Sequence, residues 1–292
     1  MSHMAEEIAS QPECWERAAA EAGRWQAELP RHGERVAVVG CGTSWFMAQA
    51  YAALREAAGQ GETDAFAASE YPLGRRYDRV LAITRSGTTT EVVELLAALR
   101  GRTPTTALTA VPEAPVRAAD ALVDLGYADE RSVVQTRFAT TALALLRASL
   151  GEDLGAAVAQ ARQVLAEEPP QAAVRAEQLT FLGRGWTIGL AHEAALKLRE
   201  AACAWTESYP AMDYRHGPIS ITAPGRIAWM FGPAPAGLAE DVARTGGTFV
   251  ADGLDPLADL VRLHRVAAAM AALRGLDPDH PRHLTRSVIL PG

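Results

Sequence analysis

The chain is poor in cysteine, has no long apolar run and carries no massed block of basic residues, and each shortage removes a class of protein. Its three cysteines, Cys14, Cys41 and Cys203, are odd in number and far apart. They form neither a disulfide framework nor a CxxC metal pair, so no metal is expected and a reducing cytoplasm suits them. No apolar stretch reaches membrane-spanning length, and the N-terminus lacks the basic-then-apolar pattern of a secretory signal. A membrane protein is excluded on this reading, and secretion is not expected. The 28 Lys and Arg residues stand against 35 Asp and Glu, a net charge of −7 with the basic residues scattered. Such a balance argues against nucleic acid as the main partner and against an electrostatic membrane anchor. What is present, 49% apolar and 22% charged residues over 292 positions, is enough for one large or two medium globular domains.

The most informative stretch is Val80-Leu81-Ala82-Ile83-Thr84-Arg85-Ser86-Gly87-Thr88-Thr89-Thr90-Glu91. An apolar run ends in a hydroxyl-rich turn, after which Val92, Leu95, Leu96 and Leu99 fall at i, i+3, i+4 and i+7, the period of a helix buried on one side. This reads as strand, loop and helix N-terminus. The first N–H groups of a helix have no intrahelical partner and sit at the positive end of its dipole, so an anion is stabilised there. Thr84, Ser86, Thr88, Thr89 and Thr90 add hydroxyl donors, and Arg85 adds a fixed positive charge. The loop suits a phosphate group, although hydroxyl residues also cap helices with no ligand at all.

The rest of the chain repeats this grammar. Residues 1–29 read as a helical lead-in, with Trp15, Ala18, Ala22 and Trp25 near one face. Arg35 to Val39 form a buried-strand run that leads through Gly40-Cys41-Gly42-Thr43-Ser44 into a helix with Met47, Ala50, Tyr51 and Leu54 on one side. A dinucleotide fingerprint needs a third glycine where Trp45 stands, which argues against a nicotinamide site, and no cofactor is expected. Thr43 and Ser44 then serve either a second anion contact or capping. Further strands are expected within Gly61–Tyr71, over Thr105–Thr109 and over Leu122–Leu125. Their alternation with helices predicts a parallel sheet covered on both faces, with ligands at the carboxyl ends of its strands. The segment Glu130 to Thr141, which includes Val133 and Gln135, opens an apolar helix and reads as a pocket lining or a buried cap. A helix over Leu154–Leu165 and the pair Pro169-Pro170 mark a boundary between residues 30–168 and 169–292. Beyond it, Leu179 to Gly185 mirrors Ala37 to Gly42, Lys197 to Ala202 echoes Ala53 to Ala58, and Glu207 to Pro210 answers Ser69 to Pro72, as in a duplicated unit. Ile227–Phe231 and Thr248–Ala251 read as later strands and Leu260–Leu273 as a late helix.

On the helix after Gly185, Glu193, Lys197 and Glu200 are spaced i, i+4, i+7 and fall within an arc of about 60°. Two carboxylates flanking an ammonium in an apolar sequence suit proton transfer, while a solvated, salt-bridged face is the plainer alternative. His192-Glu193 lacks the second histidine of a zinc-protease helix, since position 196 is Leu196. His216, before Gly217-Pro218, is a loop histidine able to exchange a proton near neutral pH.

Taken in order, these motifs and the closing Asp279-His280-Pro281-Arg282-His283-Leu284-Thr285-Arg286-Ser287 resemble the sugar isomerase (SIS) family, and within it the isomerase half of glucosamine-6-phosphate synthases. The resemblance implies an α/β fold of two tandem SIS subdomains, each a five-stranded parallel sheet flanked by helices in a flavodoxin-like, three-layer αβα arrangement. It also implies a homodimer with interfacial active sites and a sugar phosphate substrate. By that resemblance Ser44, Thr84, Arg85, Ser86 and Thr89 hold the phosphate, and Val133 and Gln135 contact the sugar. Glu200 is the base between C1 and C2, Lys197 stabilises developing charge, and His216 opens the ring. Arg286 stands where the family has an active-site lysine, and an arginine does not form a Schiff base. Gln135 and Arg85 replace smaller or neutral family residues. A glutaminase domain is absent and Cys14 has no nucleophile context, so glutamine-dependent synthesis by this chain alone is not expected. The expected activity is aldose–ketose isomerisation of a (amino)sugar 6-phosphate, with or without deamination; a deglycase and a non-catalytic phosphosugar-binding regulator are the alternatives.

Overall fold

The computed structural model describes Ser2–Leu290. Short runs of three to six residues, those in the middle of each sheet covered on both faces, favour parallel strands over helices. They form β1 (Val36–Gly40), β2 (Thr63–Ala67), β3 (Arg79–Ile83), β4 (Thr105–Thr109), β5 (Ala121–Asp124), β6 (Gln178–Gly183), β7 (Trp205–Pro210), β8 (Arg226–Met230) and β9 (Thr248–Val250). The helices are α1 (His3–Ala9), α2 (Gln11–Glu21), α3 (Thr43–Ala57), α4 (Thr90–Leu99), α5 (Arg137–Ser149), α6 (Gly155–Ala166), α7 (Gln171–Val174), α8 (Thr187–Ala202), α9 (Leu238–Arg244) and α10 (Pro256–Leu273). No described helix is long and apolar enough to cross a membrane.

The chain divides into two compact units. One comprises Glu13–Arg131, Gln135–Leu154 and the segment from Thr285 on. Its five strands run in the order β2-β1-β3-β4-β5, all parallel, with Val36 beside Thr63 and Val39 beside Ala82. Because successive side chains alternate across a sheet, Ala37, Val39, Val80 and Ala82 share one face. They meet Val92, Leu95, Leu96 and Leu99 of α4, joined by Tyr71 and Tyr77. Val38 and Leu81, at the alternate positions, are fully buried on the other face, and α3 packs against both the sheet and α5.

The second unit takes the residues up to Pro12, Ser132–Val134 and Gly155–Leu284. Its sheet runs β7-β6-β8-β9, again parallel, the same order as the first four strands of the other sheet. Leu182, Ala228 and Met230 meet Leu238 and Val242 of α9 on one side. Helix α10 packs along α8 and α6. This sheet has four strands, where the family resemblance implies five. Only Ala251-Asp252-Gly253-Leu254-Asp255 separates β9 from α10, too few residues for the crossover that a further parallel strand requires.

Candidate active site

The strand order of the first sheet reverses between β1 and β3, and in open parallel sheets the crevice outside the carboxyl ends at such a point is where ligands bind. The loops Gly40–Ser44 and Thr84–Thr90 leave the sheet there. Gly40 lets α3 begin close to its strand, since a Cβ would lie 2.6 Å from the carbonyl carbon of Ser44. Gly183 repeats the device in the second unit, where a Cβ would lie 2.3 Å from the carbonyl oxygen of Thr187. Thr43, Ser44, Thr84 and Ser86 are buried and Thr88 and Thr89 half-buried. Thr88 donates to Ser86 Oγ from its N–H at 3.3 Å and from its hydroxyl at 3.0 Å. The N-caps of α3 and α4 are Gly42 and Thr89, and neither makes a side-chain capping hydrogen bond. The hydroxyls of these loops are therefore not explained as caps.

Arg85, a phosphate ligand by the family resemblance, is 4% exposed and points within its own unit. Its Nη2 donates to the Arg286 carbonyl at 2.9 Å, and Nη1 lies 3.8 Å from the Glu130 carboxylate. Glu130, wholly buried, accepts from the N–H groups of Thr136, Arg137 and Phe138 at 2.6, 2.7 and 3.1 Å. A carboxylate thus occupies the positive end of α5 from within the chain. Half-buried Gln135 lies just before this capped turn. The guanidinium of Arg286 donates to the Glu130 carbonyl and to Asp129 Oδ1. The segment after it runs along the β3–α4 loop. Ser287 Oγ lies 2.9 Å from Thr88 Oγ1, Thr90 N–H donates to the Val288 carbonyl at 3.1 Å, and Leu290 N–H donates to Thr90 Oγ1 at 2.9 Å. Sequence pattern assigns no role to Asp129, whereas Glu130 opens the segment read as a pocket lining or a buried cap, and it supplies the buried cap. Val133 belongs to the other compact unit, where its N–H donates to the Asp279 carbonyl at 3.3 Å.

In the second unit, α8 brings Glu193, Lys197 and Glu200 together as their spacing predicts. Lys197 Nζ lies 3.5 Å from Glu193 Oε1 and donates to Glu200 Oε2. The side chains of Lys197 and Glu193 are 0% and 1% exposed and that of Glu200 is 19% exposed. The cluster is therefore not a solvated face. A buried ammonium is tolerated only where carboxylates offset its desolvation. Of the 28 Lys and Arg residues in the chain, Lys197 is the sole lysine. Glu200 alone of the three lines a cavity of about 230 Å³, between the end of α8 and the segment Gly275–Arg282. Behind the cluster, α10 contributes His264, whose imidazole is held down to about 3 by burial and then by the positive charge of Lys197. Its Nδ1 lies 3.2 Å from Gln11 Nε2. Arg199 is lowered by burial, with Glu200 and Glu193 pulling the other way. His216 closes the 3-10 turn Asp213–His216 and is exposed, with no side-chain hydrogen bond or ion pair among the described residues. Its turn is fixed by Arg215, which donates to Asp241 at 2.6 Å and to the Ala236 carbonyl at 2.7 Å.

The two parallel sheets of matching strand order, each flanked by helices, form the fold of the solved structures to which the chain is similar. The chain's homologues are the isomerase halves of glutamine–fructose-6-phosphate aminotransferases. That of Nostoc sp. is 27% identical over 325 residues, covering 87% of this chain and 52% of its own. That of Thermus thermophilus is 28% identical over 317 residues, covering 89% and 52%. The chain spans about half the length of the curated relatives it matches. Among solved structures it resembles a glucosamine-6-phosphate deaminase from Thermotoga maritima, with a TM-score of 0.81, 22% identity and coverage of 99% of this chain and 100% of that one. It also resembles a tagatose-6-phosphate ketose/aldose isomerase from Escherichia coli, with a TM-score of 0.80, 17% identity and coverage of 99% and 97%. No protein-family model matches the chain.

Proposed function

We propose that the chain is a phosphosugar isomerase that interconverts aldose and ketose forms of a sugar 6-phosphate, with hydrolytic loss of ammonia when C2 carries an amino group. The observation that carries this reading is the ion cluster of α8, an ammonium shut away from water between two carboxylates of which one keeps a side open to a cavity. In this reading Glu200 moves a proton between C1 and C2 through a cis-enediol or enolamine, and Lys197 offsets the negative charge that develops on oxygen. His216, on its exposed turn, passes the ring-oxygen proton and is supplied across a homodimer interface. Ser44, Thr84, Ser86 and Thr89 take the phosphate, Val133 and Gln135 face the sugar, and Arg286 closes the site as a clamp, with Arg85 holding the segment that carries it. The reactions of the named neighbours, a deaminase and a ketose/aldose isomerase, support the class of chemistry.

The test is a thermal-shift screen of sugar 6-phosphates, followed by NMR of the binders in deuterated water. Deuterium entering C1 or C2 is the expected result. Binding without exchange overturns the enzyme reading and leaves a phosphosugar-binding regulator.

A further inference from the structure

We propose that a hollow at the amino edge of the first sheet is a binding site for a soluble di- or oligophosphate compound, independent of the loop at the carboxyl edge. The hollow measures about 750 Å³, and Arg35, Arg75, Arg76 and Arg102 line it against a single carboxylate, Asp78. Three separate segments supply the arginines: the residue before β1, the turn before β3 and the turn after α4. Two of the four already have partners. Arg35 pairs with Glu62 at 3.1 Å and Arg75 with Asp64 at 3.8 Å. Arg76 and Arg102 are exposed and have no carboxylate partner among the described residues. Asp78 is itself engaged, accepting from the Arg35 N–H at 2.8 Å.

In a chain of net charge −7, bringing four guanidinium groups into one concavity costs electrostatic energy that the ion pairs of Arg35 and Arg75 recover only in part. An anion in the hollow removes that cost. Planar guanidinium forks match phosphate oxygens in pairs. One phosphate group could balance the two unpaired charges, but forks reaching in from three separate segments around the hollow call for more than one phosphate group to meet them. The hollow falls within the range of about 300–1,000 Å³ typical of small-molecule pockets, which favours a compact metabolite over an extended chain. Tyr77 braces one wall, its ring centroid 5.2 Å from the Arg35 guanidinium carbon, and exposed Leu73 offers an apolar contact beside the charges. A five-residue strand separates this edge from the hydroxyl loop by about 16 Å, beyond the screening length in physiological salt, so the two sites titrate separately.

Isothermal titration of the full chain with inorganic triphosphate, pyrophosphate and orthophosphate tests the proposal. Triphosphate is expected to bind at least about tenfold more tightly than orthophosphate, and its affinity to fall severalfold between about 50 mM and about 200 mM NaCl. Arg76→Ala with Arg102→Ala is expected to weaken it about tenfold or more at unchanged Tm. Ser86→Ala with Thr89→Ala, in the hydroxyl loop, is expected to leave it unaltered. Loss of triphosphate binding in the loop variant rather than the arginine variant overturns the proposal, as does equal affinity for the three anions or no binding heat. If the arginine pair does not fold, the single changes Arg76→Gln and Arg102→Gln carry the test, and unchanged affinity in both overturns it.

Discussion

Acidification from about pH 7 to about pH 5 is expected to cost the unit carrying the second sheet about 2 kcal/mol through one side chain, His264. In the unfolded chain this imidazole takes up a proton below its ordinary value of 6.5, whereas in the folded protein it stays neutral down to about 3. Between those limits the unfolded state binds the extra proton. The stabilisation is therefore complete above the unfolded value and is lost as the pH falls toward the folded one. Each pH unit of the window is worth about 1.4 kcal/mol, so about 2 kcal/mol is gone at pH 5 and about 4 kcal/mol at pH 3, where the folded imidazole is itself taking up the proton. The comparison is with His264→Asn, whose side-chain oxygen can accept from Gln11 as Nδ1 does but which takes up no proton. Urea unfolding of both proteins at the two pH values, followed by hydrogen exchange of peptides from α10, isolates the histidine. Asp259 on the same helix, a carboxyl that burial raises, titrates in both proteins and drops out of the difference. Equal pH 7-to-5 losses in the two proteins would refute the reasoning, as would an imidazole whose NMR titration in the folded protein has an ordinary midpoint.

Ser86→Ala with Thr89→Ala is expected to weaken phosphosugar binding by about 1.5–3 kcal/mol at unchanged Tm, read by calorimetry; equal affinity misplaces the cradle. Glu200→Gln is expected to keep phosphosugar affinity within about twofold and to lose about 100-fold or more of the C1/C2 deuterium exchange, since it keeps the shape and removes the base. Lys197→Met leaves Glu193 buried beside no ammonium and is expected to lower stability by about 3–5 kcal/mol, measured by urea unfolding at neutral pH; a change below about 1 kcal/mol would show that the pair contributes little to the folded state. Arg286→Ala releases the contacts to Asp129 and the Glu130 carbonyl, and faster hydrogen exchange over residues 285–290 with little change in global stability is the expected signature.

The parts of the site that are local in the chain are legible in the order of the residues. A β-branched run, a glycine and a cluster of hydroxyls announce the Thr84–Thr90 loop, and the i, i+4, i+7 spacing alone places Glu193, Lys197 and Glu200 on one face of α8. What distant segments do to those residues is not legible in that way. Nothing near Arg85 in sequence reveals that its guanidinium meets Glu130 and the carbonyl of Arg286, so its charge reads as one meant for a ligand. The burial of Lys197 depends on the neighbours that α8 meets in the fold, and the helix pattern by itself leaves a solvated face open. One signal is easily passed over: counting lysine and arginine together hides that a single lysine stands among arginines, between the two carboxylates of α8. The fifth strand that the family resemblance implies for the second sheet is absent among the described residues, because the short link from β9 to α10 leaves no room for it.

That single lysine has a practical corollary. Lys197 is 0% exposed, so the positive charge on the protein's surface is carried by guanidinium groups, and no ε-amine is presented to solvent. Succinimidyl dyes, amine cross-linkers and enzymes that attach acyl groups or small modifier proteins to lysine find no side-chain target on the folded molecule. Apart from a chain-terminal α-amine, the first amine they could reach appears only when α8 is uncovered. Amine labelling thereby becomes a one-residue clock for the opening of the very element that carries the proton-transfer cluster.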